Sequence, residues 1–233
     1  MKVKILAITM AVVTVFLTAV TVCIRALNAQ AVSAFSEGMR IVVDAGHGGI
    51  DGGVSGKITG VKESDLNLSI SMVLKEDLED MGFAVTLTRK TEAGLYDTTA
   101  KGFKKRDMQR RKEIIEEVKP ALVVSVHQNY YPTQAARGGQ VFYSKKTAGS
   151  KRLAECVQEK FNGLYSEQRV KARKITAGEY FMLECYPCPS VIVECGFLSN
   201  SSDENLLISP AWQKRLAQSV AGGVLAYFAD ISA

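Results

Sequence analysis

Hydrophobic and polar positions first separate the N-terminal end of the chain from the rest. Residues 5–24 carry no charge, and threonines are their only polar members. Lys2 and Lys4 precede this run, and Arg25 follows it. About 20 apolar residues are enough for a helix that spans a bilayer. The pattern predicts an apolar N-terminal helix that serves as a membrane anchor or as the core of a secretory signal peptide.

Small residues after the apolar run leave both interpretations open. Ala29-Gln30-Ala31 is a candidate cleavage site for a signal peptide. The length of the run favours an uncleaved anchor. Residues 1–32 are therefore predicted to be a signal or anchor segment. Residues 33–233 are predicted to form one folded domain outside the cytoplasm, either membrane-anchored or secreted.

The remainder of the chain alternates between short apolar runs and amphipathic segments. Strands are predicted at 41–44, 84–87, 121–126, 139–143, 180–183 and 191–194. Helices are predicted at 64–81, with Ser64 as N-cap and Gly82 after its end, at 104–118, at 151–164 and from Pro210 onward.

Strand and helix segments that alternate in this way indicate an α/β fold. Because the strands are apolar throughout, both faces of the sheet should be covered by helices. We expect a single-domain, three-layer αβα architecture with a twisted, mostly parallel sheet. In such sheets, ligands bind outside the carboxyl ends of the strands.

The composition of the chain limits the classes of partner that the protein is expected to bind. An apolar fraction of 47% and a charged fraction of 23% are typical of a packed globular domain. The net charge of +5 fits an ordinary basic surface, or attraction to an anionic cell wall or lipid surface. No compact Lys/Arg block alternates with aromatic residues, so nucleic acid is not an expected partner.

The cysteines give no clear metal site. Cys185 and Cys188 have CxxC spacing, but no second pair with matching spacing accompanies them. We expect core or loop thiols, or a disulfide if the domain folds in an oxidising compartment.

The two histidines of the chain both follow predicted strands. His47 lies just after the strand 41–44, and His127 lies just after the strand 121–126. If these strands are neighbours, the two imidazoles converge at one edge of the sheet. Two imidazoles and one carboxylate are a common ligand set for catalytic zinc. A single histidine at such a position is more commonly a packing or surface residue than a ligand, and it is the matching placement of both that favours a metal site.

Two glutamates are candidates for the carboxylates of such a site. Glu63 lies where the glycine-rich loop after His47 enters the first helix, so it is either a metal ligand or a first-turn residue that complements the helix dipole. Glu194 ends an apolar strand, where an ionisable group is costly unless it is paired or catalytic. It is therefore the best candidate for a general base, with a structural ion pair as the alternative.

Two further polar residues lie at the same strand ends. Asp44 either orients a ligand histidine or forms a buried hydrogen bond, and Asn129 is a candidate for contact with a ligand or substrate. The glycines at 46, 48, 49, 52 and 53 lack the spacing of a phosphate-binding loop. They indicate backbone freedom around a metal site.

Four motifs in order resemble a known family. Asp44-Ala45-Gly46-His47-Gly48-Gly49, the stretch 62–68 (KESDLNL), Ser125-Val126-His127-Gln128-Asn129 and the stretch 193–200 (VECGFLSN) resemble the zinc N-acetylmuramoyl-L-alanine amidases, the amidase-3 family. The resemblance covers residues 40–228. It implies one Zn²⁺ held by His47, Glu63 and His127, with Glu194 as catalytic base. It also implies that residues 33–233 are a zinc amidase domain, which hydrolyses the bond between muramic acid and L-alanine in peptidoglycan.

A narrower resemblance concerns spore-forming bacteria. The short chain, the apolar N-terminal segment and the stretches 94–96 and 102–108 are similar to the amidases of sporulation. They imply a role in spore cortex maturation and germination, through formation of muramic δ-lactam, and a location at the forespore. Dependence on an activating partner protein stays open.

Two other functions were weighed from the residues. A zinc-dependent deacetylase can use similar ligands, but the motif around Glu194 and the order of the motifs argue against it. A non-catalytic peptidoglycan-binding module would not need all four chemical residues.

Overall fold

The computed structural model describes residues 38–231 together with Met10, Val13, Thr14, Phe16 and Thr18. The predicted signal or anchor segment, with its apolar helix, lies almost entirely outside the described residues. Among the described residues, no helix combines the length and apolar character needed to cross a membrane.

Six strands form one mixed sheet in the order β2-β1-β3-β6-β4-β5. All neighbouring strands are parallel except β4 and β6, which are antiparallel. The predicted, mostly parallel sheet is therefore confirmed. The strands are β1 (Arg40–Ala45), β2 (Ala84–Leu87), β3 (Leu122–Asn129), β4 (Gln140–Tyr143), β5 (Thr176–Ala177) and β6 (Ser190–Phe197).

Helices cover both faces of the sheet, which confirms the three-layer architecture. They are α1 (Glu63–Asp80), α2 (Phe103–Val118), α3 (Ser150–Ser166), α4 (Phe181–Glu184), α5 (Ser201–Leu207) and α6 (Pro210–Ile231). The larger core cluster joins α1, α3 and α6 to one face. A smaller cluster joins α2 and α4 to the other face.

Alternation along the strands explains this division. In β1, Ile41 and Val43 belong to the larger cluster, and Val42 belongs to the smaller one. Successive side chains of a strand point to opposite faces. A strand between two helical layers must therefore be apolar at every position, as the sequence pattern predicts.

The helix α1 begins one residue before the predicted start. Lys62 is the N-cap, and the Ser64 hydroxyl donates to Asp65 instead of accepting from the backbone, so the prediction of Ser64 as N-cap is wrong. The predicted end is confirmed. Gly82 has a φ of 91°, and the amides of Gly82 and Phe83 donate to carbonyls of the last turn.

The predicted strand at 180–183 is wrong. The chain forms the single helical turn α4 there, with hydrogen bonds from the Leu183 amide to the Tyr180 carbonyl and from the Cys185 amide to the Phe181 carbonyl. Both edges of the following strand β6 are occupied by β3 and β4, so this segment has no free edge of β6 to pair with. The short elements β5 and α5 were not predicted.

The direction in which successive strands are added to the sheet reverses at β1. The connection through α1 places β2 on one side of β1, and the connection through α2 returns to place β3 on the other side. The carboxyl ends of β1 and β3 therefore flank a switch point. A crevice at such a point is where ligands bind in open α/β sheets.

Candidate functional site

Three predicted ligand residues converge at this switch point. The Oε1 atom of Glu63 lies 3.0 Å from Nδ1 of His127 and 3.3 Å from Nε2 of His47. The three donor atoms all lie within 4.8 Å of one another. Two histidines from the ends of β1 and β3 and the first residue of α1 thus form one cluster.

The cluster fits a metal ion by the chemistry and spacing of its donors. Zinc ligands at about 2.0–2.1 Å in a tetrahedral site are separated from one another by roughly 3.3 Å. The carboxylate–imidazole separations in the cluster are close to that value. Burial alone would raise the pKa of Glu63, but hydrogen bonds and charge from His127 and His47 lower it far below the ordinary value. Glu63 is therefore ionised, as a ligand must be.

His47 is held from its other ring nitrogen by a residue that sequence reasoning missed. Its Nδ1 atom lies 3.1 Å from Oδ2 of Asp51, whose Oδ1 lies 3.0 Å from Nζ of Lys104. A carboxylate on the far nitrogen fixes the tautomer and orientation of a ligand histidine. Burial opposes protonation of His47, but Glu63 and Asp51 raise its pKa above the ordinary value. The sequence signal for this contact is the position of Asp51, four residues after His47 in the glycine-rich loop.

Glu63 is itself held by backbone and side-chain donors. The amides of Gln128 and Val54 donate to its two oxygens, at 3.1 and 3.0 Å. The Asn67 side chain lies one helical turn further on and donates 3.4 Å to Glu63 and 3.2 Å to the Gly46 carbonyl. Glu63 is 3% exposed and is the first residue of α1, so it lies in the first helical turn and faces the two histidines at the same time.

Two glycines leave the space that these side chains occupy. A Cβ atom on Gly46 would lie 2.3 Å from the imidazole of His127. A Cβ atom on Gly53 would lie 2.4 Å from Oε2 of Glu63, and the φ of Gly53 is 66°. The predicted backbone freedom of the glycine-rich loop is confirmed at Gly53 by its positive φ, and both glycines let the backbone approach the cluster closely.

Glu194 lies beside the cluster without a partner of its own. It is paired in register with His127 on the neighbouring strand, so both side chains point to the same face of the sheet. Its Oε2 atom is buried and has no hydrogen-bond partner among the described residues. Burial raises the pKa of Glu194 to about 7. No ion pair to Glu194 occurs among the described residues, so the structural alternative has no support.

Asp44 does not contact the histidines. Its carboxylate forms a buried ion pair with Arg111 of α2 and accepts hydrogen bonds from Thr88 at 2.7 Å and from Ser125. Burial would raise the pKa of Asp44, but the charge of Arg111 and the two hydroxyls lower it. Of the two predicted roles for Asp44, the structure shows the buried hydrogen-bonding one.

Two buried arginines, which the sequence did not reveal, hold the turn that carries His47. Arg111 donates to the carbonyls of Ala45 at 2.8 Å and His47 at 2.6 Å. Arg89 donates to the carbonyls of Ala45 at 2.9 Å and Gly46 at 3.0 Å. His47 has a φ of 61°, which is strained for a residue with a side chain. The hydrogen bonds from the two arginines hold the backbone of the turn in this conformation.

An aromatic-lined cavity of about 290 Å³ adjoins the cluster on the face covered by α2 and α4. Tyr96 and Phe103 meet edge to face at one wall, and the Tyr96 hydroxyl accepts from the Ile50 amide at 2.6 Å. Tyr180 and Phe181 form another wall and are about half exposed. The stretches 94–96 and 102–108 therefore cover the glycine-rich loop.

Two further sequence predictions concern Asn129 and the cysteine pair Cys185 and Cys188, which lie outside the His–Glu–His cluster. The Asn129 carbonyl accepts from the Leu198 amide at 2.9 Å, and a ligand role for its side chain stays a prediction. Cys185 and Cys188 are free thiols in the structure. Burial raises the pKa of Cys185 to about 11, which makes its thiol a weak nucleophile at neutral pH.

Fold and site together define a class of protein. A mixed αβα sheet carries two imidazoles, an ionised carboxylate and an unpaired carboxylate at its switch point. This arrangement fits an enzyme that performs hydrolysis, with a group of side chains able to hold a metal and a further carboxylate available for proton transfer.

Comparison with known proteins specifies the class. Residues 41–226 match the amidase-3 family, described as N-acetylmuramoyl-L-alanine amidase, and the chain belongs to this family. It is an amidase that acts on peptidoglycan. The deacetylase and the non-catalytic module are therefore not retained.

Individual relatives cover most of the chain. The germination-specific N-acetylmuramoyl-L-alanine amidase of Bacillus subtilis is 32% identical over 197 residues, which are 83% of this chain and 81% of that protein. The CwlD amidase of Clostridioides difficile, solved in complex with the GerS lipoprotein, is 33% identical with a TM-score of 0.78, over 82% of this chain and 99% of that one. The catalytic domain of CwlV from Bacillus (Paenibacillus) polymyxa is 27% identical with a TM-score of 0.70, over 81% and 97%.

Proposed function

We propose that this amidase depends on one Zn²⁺ held by His47, Glu63 and His127, and that Glu194 is its catalytic base. The observation that carries the proposal is the unpaired Oε2 atom of Glu194, on the strand directly beside the His–Glu–His cluster. A buried carboxylate without a partner is costly, and here the cost is explained by a role in proton transfer.

When bound, zinc would polarise the lactyl carbonyl of the muramic acid and acidify water in the site. Asp51 and Glu63 hold the two imidazoles in place, and the arginine-braced turn keeps His47 aimed at the cluster. Glu194 accepts the proton of the attacking water and delivers it to the leaving amine of L-alanine. In the metal-free site, burial raises the pKa of Glu194 to about 7, a range in which a carboxyl group can both accept and release a proton near neutral pH.

We further propose that the enzyme acts outside the cytoplasm, on the peptidoglycan of the spore cortex. The support is the 32% identity to a germination-specific amidase over most of both chains. The apolar run at 5–24 supports export or membrane anchoring. In this setting, removal of stem peptides would precede the formation of muramic δ-lactam.

A lipoprotein partner is part of the proposal. A relative with 33% identity was solved in complex with the GerS lipoprotein. We propose that a membrane-attached protein binds this chain also and raises its activity. A partner anchored in the same membrane would meet the enzyme at high effective concentration.

The test uses the full chain, purified in detergent and loaded with zinc, on purified cortex peptidoglycan. We expect free stem peptides that begin with L-alanine, detected by mass spectrometry, and one zinc per chain by elemental analysis. The variant Glu194→Gln should retain zinc and lose stem release by at least about a hundredfold. Retained activity in this variant would overturn the role of Glu194. Stem release unchanged after complete removal of zinc would overturn zinc dependence.

A further inference from the structure

A second cavity, with a volume of about 510 Å³, opens at the β4–β5 edge of the sheet. Its wall carries cations and no carboxylate among the described residues; the cationic residues are Arg137, Arg169, Lys171, Arg173 and Lys174. We call this the basic groove. A concentration of one sign of charge in a concave surface attracts ligands of the opposite sign.

Two guanidinium groups in the basic groove are fixed before any ligand arrives. Arg173 donates through Nε to the Arg137 carbonyl at 2.6 Å, and its guanidinium lies 4.5 Å from the centre of the Phe197 ring. Arg137 pairs through Nε with Asp203, which is fully buried. No partner among the described residues takes Nη2 of Arg173 or the two Nη atoms of Arg137. Their rigid forks are thus free to bind an anion.

The basic groove connects directly to the proposed catalytic base. Gln140 of β4 is paired in register with Glu194 of β6, so their side chains share one face with Cβ atoms about 5 Å apart. The Gln140 side chain accepts from Nη1 of Arg173 at 3.1 Å. Across the sheet, the order is therefore His47, His127, Glu194, Gln140 and then the groove.

This order gives the substrate a direction. The carbonyl that is attacked belongs to the sugar side of the bond and must lie at the His–Glu–His cluster. The amine that leaves belongs to the peptide and must lie within reach of Glu194, which protonates it. Continued away from the cluster, the peptide passes β4 and enters the basic groove. The sugar side of the substrate then lies towards the aromatic-lined cavity.

We propose that the basic groove binds free carboxylates of the peptide stem, and so determines which stems are cleaved. This inference rests on the proposed function, since it uses Glu194 as proton donor to the leaving amine. The charges agree with it. A stem with a free C-terminus carries at least one carboxylate, whereas the N-acetylmuramic acid to which it is attached is uncharged, because its lactyl carboxyl group is held in the amide bond. Burial lowers the pKa of Arg173, and Asp203 offsets this only in part, so an added anion would be stabilising.

The test compares two synthetic N-acetylmuramoyl-L-alanyl peptides, one with free carboxylates and one with all of them converted to carboxamides. For the zinc-loaded full chain, we expect kcat/KM to be about tenfold or more higher for the free acid, mainly through KM. In Arg173→Gln and Lys174→Gln the ratio between the two substrates should fall towards one. Lys151→Gln, an exposed change on α3, should keep the wild-type ratio.

The ratio separates the possible failures. Poor folding of a variant lowers the rates on both substrates together and does not change their ratio. A wild-type ratio in Arg173→Gln and Lys174→Gln would therefore count against the groove, whatever the loss in rate. Equal rates of the wild type on both substrates would overturn the inference while the amidase stands. Hydrolysis of neither substrate by the wild type would instead refute the proposed function. If the variants lose affinity for anionic lipid vesicles but keep the ratio, the groove binds a membrane surface and the proposal is wrong.

Discussion

His127 and Glu194 lie directly opposite each other on the parallel strands β3 and β6. Immediately after this pair the register shifts, because Asn129 pairs with Phe197. Two residues of β6, Cys195 and Gly196, therefore lie opposite one residue of β3. A bulge of this kind bends a strand and redirects its side chains. The regular register thus ends directly after His127 and Glu194, the proposed metal ligand and the proposed base.

The pH dependence of the stability of the metal-free protein should reveal the raised pKa of Glu194. Its folded pKa of about 7 exceeds the ordinary 4.5, so the folded state holds this proton more tightly than the unfolded state. That stabilisation is complete below pH 4.5 and is lost as the pH rises through 7. In the presence of chelator, Glu194→Gln should match the wild type at pH 4.5 and exceed it at pH 8 by up to roughly 3 kcal/mol in unfolding free energy. Urea titrations at both pH values measure this, and a constant difference would refute it.

Removal of the carboxylate on His47 should weaken zinc binding. Asp51→Asn keeps the shape of the side chain but loses the charge that orients Nδ1 of His47. We expect zinc affinity to fall by about 10–100-fold, measured by competition with a chelator, and activity to return at excess zinc. Lys104→Gln is the control, since it keeps the carboxylate on His47 and should have a smaller effect. Equal affinities of Asp51→Asn and the wild type would contradict the orienting role.

Loss of the buried arginine beneath the site should destabilise the whole domain. Arg111→Met leaves Asp44 buried at 1% exposure without its counter-charge. We expect a loss of about 3–5 kcal/mol in unfolding free energy, measured with urea. Arg110→Met changes an exposed neighbour on the same helix and should cost at most about 1 kcal/mol. Similar losses in both variants would show that burial of Arg111 is not what matters.

A single methyl group at Gly46 should displace His127. Its Cβ atom would lie 2.3 Å from the imidazole, so Gly46→Ala should abolish zinc binding while circular dichroism stays close to wild type. Gly163→Ala has open space within α3 and should stabilise that helix by up to about 1 kcal/mol. Normal zinc binding by Gly46→Ala would mean that the ring can rearrange.

Strand ends were predicted well from the sequence. Apolar runs in β1, β3 and β6 followed at once by polar residues place His47, His127 and Glu194 at one edge of a parallel sheet. This argument needs only the periodicity of strands and the rule for ligand sites in α/β folds. Glu63 was ambiguous because a glutamate in the first helical turn is common for other reasons.

What the sequence did not reveal depends on tertiary burial. In the charged helix α2, Ile115 is fully buried, and Met108 and Val118 pack against the smaller cluster while partly exposed. Arg111 is also buried, because it donates to carbonyls of the turn after β1, and Asp107 is buried because it pairs with Arg111 and accepts from the Leu95 amide. A buried arginine looks like a surface arginine in the sequence, and its partners come from a strand far away in the chain.

Strand order also determines when the enzyme becomes competent. Among the described residues β6 is the last strand in sequence, yet it lies inside the sheet between β3 and β4. A chain that ends before β6 contains all three proposed metal ligands but lacks the proposed base Glu194 and an interior strand of the sheet. Hydrolytic activity therefore requires completion of pairing between segments far apart in sequence, which is a slow class of folding event. An incomplete or partly folded chain is therefore expected to be inert towards the wall.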